Sequence, residues 1–95
     1  MPAYVIANVD VTDAAAYDEY RKGVLATIER YDGRFLVRGG AAQVLEGTLQ
    51  PKRIVVLEFP NAARARAWWD SPEYRPLREM RQRASRGDLF VVEGV

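Results

Sequence analysis

Four charged residues lie in or beside predicted strands among apolar neighbours: Arg38, Glu46, Arg53 and Glu58. Because an unpaired buried ion is costly, such residues need partners. Two arginines could clamp the carboxylate or enolate of a small substrate, with a glutamate of raised pKa as base. This interpretation makes Glu46, Glu58 and Arg38 catalytic and Arg53 ligand-binding. The alternative is a pair of salt bridges that hold strand ends, or two subunits, in register.

Several aromatic residues form a second candidate set. Tyr17 and Tyr20 belong to a helical stripe, and Tyr74 follows the second predicted helical region. Helical spacing of aromatic residues is typical of core packing. A phenol nevertheless needs a polar partner, so these three tyrosines could also line a ligand cavity between helices and sheet.

Two polar side chains have competing interpretations. Asn8 lies in the middle of a predicted strand and could bind a ligand, or it could hydrogen-bond a neighbour on a solvated face. Ser71 precedes Pro72 and is best interpreted as a helix cap, because the chain has no histidine to activate it as a nucleophile.

The segment 61–86 carries seven arginines against three acids, with Trp68 and Trp69 nearby. Arginines interleaved with aromatic residues can bind nucleic acid. Here the apolar stripe places most arginines on solvent faces, and no strand carries the aromatic motif of ferredoxin-like RNA binders. We therefore predict no nucleic-acid partner, and the net charge of +1 is too small to imply one.

Composition narrows the possible chemistry. The 95 residues include no cysteine and no histidine, so thiolate and histidine-dependent catalysis and His ligation of haem or zinc are excluded. No acidic cluster has calcium-loop spacing, and no glycine-rich loop opens a helix to hold a phosphate. We expect no metal and no cofactor.

The length predicts one domain over residues 1–95. No apolar run approaches the ~20 residues that cross a bilayer. The N-terminus lacks a basic region followed by an apolar core, so we expect no signal peptide, no membrane association and a cytoplasmic location.

The elements that must position these residues follow from periodicity. Alternation predicts a strand over 3–11, and a stripe of Tyr17, Tyr20, Val24, Ile28 and Tyr31 predicts a helix capped by Thr12 or Asp13 and stopped at Gly33. A short strand over 35–38 is interrupted by Gly39 and Gly40 and resumes over 43–48. A strand over 53–59 is apolar on both faces.

Asn61 predicts the start of a second helix, which Ser71-Pro72 interrupts. A short turn over 71–75 precedes a new helix from about Pro76, Gly87 ends that helix, and the last strand covers 89–93.

The resulting order, β-α-β-β-α-β, predicts an α+β ferredoxin-like fold with an antiparallel sheet and helices on one face. A central strand that is apolar on both sides needs cover on the second face as well. We expect a homodimer through the open sheet face, since twofold dimers are the commonest assemblies. A monomer would expose a large apolar patch.

The chain resembles the family called domain of unknown function 1330, within the dimeric α/β-barrel superfamily. The resemblance is carried by the runs 33–40, 45–47, 53–60 and 71–74, together with Trp68, Arg81 and 92–94. It implies a barrel built from the sheets of two subunits, but no common reaction. Arg81 matches the family pattern and could turn inward to bind a ligand or to pair with Glu58 or Glu93.

Three functions remain open at this point. The first is binding of a small molecule in a pocket between sheet and helices. The second is a cofactor-independent enzyme, monooxygenase- or isomerase-like, acting on a small carbonyl or aromatic compound. The third is a purely structural dimer.

Overall fold

The computed structural model describes all residues, 1–95. Its elements are β1 (Ala3–Val11), α1 (Ala14–Arg30), β2 (Arg34–Arg38), β3 (Arg53–Phe59), α2 (Ala62–Asp70), α3 (Arg75–Ala84) and β4 (Ser85–Glu93). The strands form one antiparallel sheet in the order β2-β3-β1-β4. This is the predicted ferredoxin-like arrangement, and the fold class is confirmed.

The sheet has one covered face and one open face. Alternate residues of β1, beginning with Ala3 and Val5, are buried under the helices, and Val5 stands opposite Leu57 of β3 and Val91 of β4. The other set of β1 residues is half-buried on the open face, where Ile6 pairs with Val56 and Phe90. The molecule is a two-layer slab that measures 35 × 33 × 16 Å.

Helix α1 begins and ends at local signals. The Asp13 side chain accepts a hydrogen bond from the Ala16 amide at 3.1 Å, so Asp13 is the N-cap. At the other end Asp32 adopts a left-handed conformation with φ 65°, and the Gly33 amide donates to the Ile28 carbonyl. This is a Schellman termination with aspartate, rather than the predicted glycine, in the left-handed position.

The predicted strand over 43–48 is wrong. Gly39 has a positive φ of 76°, and its amide makes the last bond to β3, at the Ile54 carbonyl. Strand β3 begins at Arg53, so residues 43–48 find no neighbouring strand and form an exposed connection instead.

The boundary between α3 and β4 also differs from the prediction. Helix α3 starts at Arg75, next to the predicted Pro76. Ser71 Oγ accepts from the Tyr74 amide at 3.1 Å within the turn before α3, whose N-cap residue, Tyr74, makes no side-chain capping bond. The helix ends at Ala84, and Gly87 lies inside β4, opposite Val9. A Cβ at Gly87 would overlap the Asn8 carbonyl oxygen, so this glycine permits a close strand approach rather than stopping a helix.

Candidate functional site

A cleft opens on the covered face between helices α2 and α3 and the edge strand β4. Its volume is about 440 Å³. We call it the α2–α3 cleft, and its main walls are Ala65, Arg66, Trp69, Arg81, Gln82 and Leu89. The volume falls within the range of small-molecule pockets, ~300–1,000 Å³, and apolar walls with a few polar groups are typical of such sites.

Arg81 is the cationic group that connects this cleft with the interior. Its half-buried side chain donates from Nε to the Tyr74 hydroxyl at 3.2 Å. It forms no ion pair, because Glu58 is bound by Arg34 and Glu93 is exposed. The predicted pairing of Arg81 with Glu58 or Glu93 is therefore wrong. Glu58 points to the opposite face of the sheet, away from α3.

The tyrosines beneath Arg81 form a buried hydrogen-bonded pair. The hydroxyl oxygens of Tyr20 and Tyr74 lie 2.9 Å apart. Burial, and then the neighbouring Tyr74, raises the pKa of Tyr20 well above its usual value of 10.0. Burial lowers the pKa of Arg81, but the phenols of Tyr74 and Tyr20 outweigh this and raise it. At neutral pH Tyr20 is therefore an uncharged phenol and Arg81 a guanidinium cation.

Trp68 completes this aromatic cluster. Its ring stacks on Tyr74 with centroids 4.1 Å apart, and its indole Nε1 donates to Thr27 Oγ1 at 3.1 Å. Both Trp68 and Tyr74 are essentially inaccessible to solvent. Both belong to the hydrophobic core of the domain.

The second cavity is small and lies under α1. Its volume is about 30 Å³, room for about one water molecule. We call it the α1 cavity, and the predicted site residues on its wall are Tyr17, Tyr20, Arg38 and Arg53. The structure therefore brings these four of the predicted residues together.

The two arginines of the α1 cavity lie over aromatic rings. The Arg53 guanidinium carbon is 5.6 Å from the centre of the Tyr17 ring, and that of Arg38 is 4.3 Å from the centre of the Phe35 ring. Arg38 also donates to the Arg21 carbonyl at 3.3 Å. The Nε of Arg53 is buried and has no hydrogen-bond partner in the protein.

The two predicted glutamates lie elsewhere. Glu58 is on the open face of the sheet, where one carboxylate oxygen accepts from Arg34 Nε at 2.7 Å and lies 2.6 Å from its Nη2. Glu46 is exposed in the connection between β2 and β3. Neither carboxylate lines the α2–α3 cleft or the α1 cavity, so the four predicted charged residues do not form one constellation.

Asn8 holds a loop rather than facing either cavity. Its Oδ1 accepts from the Lys52 amide at 2.7 Å, and its Nδ2 donates to the Gln50 carbonyl at 3.2 Å. These bonds attach the end of the β2–β3 connection to the open side of β1. They use both functional groups of the amide.

Sequence reasoning missed Arg66, Trp69 and Gln82 of the cleft. One signal was available for Trp69: adjacent residues of a helix point about 100° apart, so Trp68 and Trp69 cannot occupy the same core position. Trp68 takes the core, and Trp69 lies at the cleft under the Arg78 guanidinium, 4.1 Å from its ring centre. Arg66 and Gln82 meet there only because α2 and α3 are packed side by side.

Two further features bear on other kinds of site. No group of three or more acidic side chains converges in a way that could hold a metal ion. None of the three helices combines the length and the hydrophobicity that a membrane span requires.

The family comparison covers almost the whole chain. The model of a family described as "Domain of unknown function (DUF1330)" matches residues 2–95. A comparison with curated proteins returns no match.

Solved structures share the fold at low sequence identity. A protein of unknown function from Rhodopseudomonas palustris has a TM-score of 0.79 at 20% identity, with 99% of this chain and 82% of that chain covered. SnoaB, a cofactor-independent oxygenase from Streptomyces nogalater, has a TM-score of 0.65 at 12% identity, with 99% and 93% covered. A dimeric ferredoxin-like protein of unknown function from Jannaschia sp. CCS1 has a TM-score of 0.66 at 14% identity, with 99% and 100% covered.

Proposed function

The chain belongs to the DUF1330 family, and from that premise we propose that it binds a small molecule in the α2–α3 cleft. The ligand has an apolar, aromatic-sized body and one anionic or strongly polarised carbonyl group. The observation that carries this proposal is Arg81, a half-buried cation at the cleft without a carboxylate partner.

The positive charge of Arg81 favours a ligand that carries an anionic group. Buried arginines are normally paired, because removing a guanidinium from water is costly unless an anion compensates. Arg81 has only the neutral Tyr74 hydroxyl as a hydrogen-bond partner. Its remaining donors could form two parallel hydrogen bonds with a carboxylate, the geometry that arginine favours.

The walls of the cleft suit an apolar ligand body. Ala65, Leu89 and the half-buried Trp69 supply apolar and aromatic surface, and Gln82 adds an amide at the rim. Since the cleft volume is about 440 Å³, one or two fused rings fit without rearrangement of the core.

Catalysis is supported less well than binding. Deprotonation of a carbonyl or hydroxyaromatic compound needs a proton acceptor, and the cleft is lined by no carboxylate. Arg81 could stabilise an enolate-like anion, but burial raises the pKa of the Tyr20 phenol, which therefore resists ionisation. Binding is therefore the function that the geometry favours.

Calorimetric titration with 2-naphthoate, and with 2-naphthamide as its uncharged counterpart, tests the proposal. We expect 2-naphthoate to bind more tightly, and Arg81→Gln to weaken it by ~10-fold or more, since hydrogen bonds between charged groups contribute ~1.5–3 kcal/mol. Arg83→Gln, an exposed arginine of the same helix, is the matched control and should leave affinity unchanged. Absence of binding, or equal binding by Arg81→Gln, would refute the proposal and leave a structural dimer. Chemical conversion of a bound compound would extend it to an enzyme.

We also propose that a second copy of the chain covers the open face of the sheet. The apolar residues there include Ile6, Ile54 and Val56, and Phe90 and Val92 are 53% and 44% exposed. A self-complementary apolar face is what a twofold dimer buries. The Jannaschia protein, which shares the fold, is described as dimeric.

Light scattering during size-exclusion chromatography tests this assembly. The wild-type protein should elute with twice the mass of the 10.8 kDa chain. Phe90→Glu should produce monomers, because it places a charge on the apolar face that the second copy would cover. Leu25→Glu, at a 40% exposed position of α1, is the control and should remain dimeric. A monomeric wild-type protein would contradict the assembly.

A further inference from the structure

We propose that Arg38 and Arg53 form a second site, independent of the α2–α3 cleft, that binds the carboxylate group of a short aliphatic acid. The site lies at the mouth of the α1 cavity, between α1 and strands β2 and β3. It uses neither Arg81 nor the residues around Trp69.

The backbone register places the two arginines together. Arg38 pairs with Val55, and Arg53 precedes Val55 by two positions on the same strand. All three side chains therefore point to the covered face, and Arg38 and Arg53 are diagonal neighbours across β2 and β3. Both line the wall of the α1 cavity.

Neither arginine is neutralised by the protein. The acidic residues of α1 nearest this mouth are Asp18 and Glu19, and each has a basic partner on its own helix: Arg21 at 3.9 Å and Lys22 at 2.9 Å. Arg38 and Arg53 form no ion pair. Because the two residues are diagonal neighbours on one face of the sheet, one bound anion could accept hydrogen bonds from both guanidinium groups.

The Nε of Arg53 points to the same conclusion. It is a buried donor without a protein acceptor, and such groups are rare because desolvation without a hydrogen bond is costly. A carboxylate oxygen at the cavity mouth would satisfy it. The stacking of Arg53 on Tyr17 and of Arg38 on Phe35 holds both guanidinium groups in place for this contact.

The surroundings limit the ligand to a small one. The backbone of Gly39 passes so close to Arg53 that a Cβ would overlap its guanidinium group. Behind the arginines the α1 cavity offers about 30 Å³ among Tyr17, Tyr20 and Val55. With the carboxylate and its α-carbon at the mouth, a terminal methyl group directed inward fits this space, whereas an aromatic ring does not.

Titration followed by NMR tests the site with propionate at constant ionic strength. We expect the Nε–H signals of Arg53 and Arg38 to shift with a saturable dependence on propionate, but not on propionamide or chloride. Arg53→Gln and Arg38→Gln should each weaken propionate binding by ~10-fold or more, as expected for lost charge-assisted hydrogen bonds. Arg34→Gln, which removes an arginine from the open face, should leave propionate affinity unchanged.

A backbone variant gives an independent test. Gly39→Ala should displace the Arg53 guanidinium and weaken propionate binding, whereas Gly40→Ala, which meets no atom within 4 Å, should not. The variant Arg81→Gln separates the two sites, because it should weaken 2-naphthoate binding without affecting propionate. The proposal would be overturned if propionate gave no saturable shift, if chloride gave the same one, or if Arg53→Gln and Arg38→Gln bound as the wild type does.

Discussion

The hydroxyl oxygens of Tyr20 and Tyr74 lie 2.9 Å apart in the interior, although 54 positions separate the two residues in the sequence. The contact links α1 to the turn before α3, and Arg81 Nε donates to the Tyr74 oxygen from the cleft side. These three groups form a continuous chain of hydrogen bonds from the cleft into the core.

Removing one phenol should therefore cost more than removing a solvent-exposed hydroxyl. Tyr74→Phe takes the acceptor from Arg81 and the partner from Tyr20, and it should lower the free energy of unfolding by ~1–3 kcal/mol. In a double-mutant cycle with Tyr20→Phe, urea denaturation should show a coupling of ~0.5–1.5 kcal/mol. Tyr4→Phe, on the open face, is the control. Additive effects of Tyr20→Phe and Tyr74→Phe would show that the contact contributes no energy.

The raised pKa of Tyr20 predicts a loss of stability at alkaline pH. The unfolded chain releases this proton near a pKa of about 10, whereas the folded protein retains it to a higher pH. The stabilisation that arises from protonated Tyr20 is thus complete below its pKa in the unfolded chain. It is lost as pH rises toward the pKa of Tyr20 in the folded protein. Thermal unfolding between pH 8 and ~11 should show this decline in the wild type and a shallower one in Tyr20→Phe. If stability fell equally steeply with pH in the wild type and in Tyr20→Phe, a raised pKa of Tyr20 would be contradicted.

The hydrogen bond between Trp68 and Thr27 can be removed by a nearly isosteric substitution, Thr27→Val. Thr27→Val removes the acceptor of the buried indole N–H and should destabilise the protein by ~1–3 kcal/mol. Thr27 also donates to the Val24 carbonyl at 2.7 Å, so the substitution breaks two contacts. Thr48→Val at an exposed position should change the urea midpoint little. Equal midpoints for the two variants would show that the indole N–H gains no stabilisation from Thr27.

Gly87, near the start of β4, should not tolerate a larger residue. Its φ of 142° is rarely adopted by other residues, and any Cβ would overlap the Asn8 carbonyl oxygen of β1. Gly87→Ala should lower the free energy of unfolding by at least ~1–3 kcal/mol. Gly40→Ala has open space and serves as the matched control in the same denaturant titration. A stable Gly87→Ala variant would mean that β1 and β4 can separate locally without loss of the fold.

Local patterns predicted the regular elements well. The stripe from Tyr17 to Ile28 is buried as expected, and Asp13 caps α1, whereas Ser71 binds the Tyr74 amide in the turn before α3 and is not the N-cap of that helix. The predictions that failed concern segments whose secondary structure depends on a neighbouring strand from a distant part of the sequence. Residues 43–48 were predicted as a strand but find no neighbouring strand. Gly87 was predicted to stop a helix, but it lies in β4 opposite Val9 of β1.

The alternation of side chains between the two faces of a strand explains why the predicted charged residues do not form one site. Arg53 and Glu58 are five positions apart in one strand, so their side chains point to opposite faces, and alternation alone already separates them. By the same rule Arg53, Val55 and Leu57 share the covered face, which is where Arg53 meets Tyr17. The site prediction grouped residues by charge and neglected this alternation.

The sequence by itself determined the α+β class, the order of the elements and a sheet apolar on both sides, because these follow from periods of two and 3.6 residues and from short-range capping. Only the tertiary structure decided that Arg81 meets Tyr74 rather than a glutamate, and that Arg66, Trp69 and Gln82 line one cleft. Those contacts depend on the packing of α2 against α3 and of both against β4. Packing is set by the summed fit of many side chains distant in the chain, which no local pattern encodes.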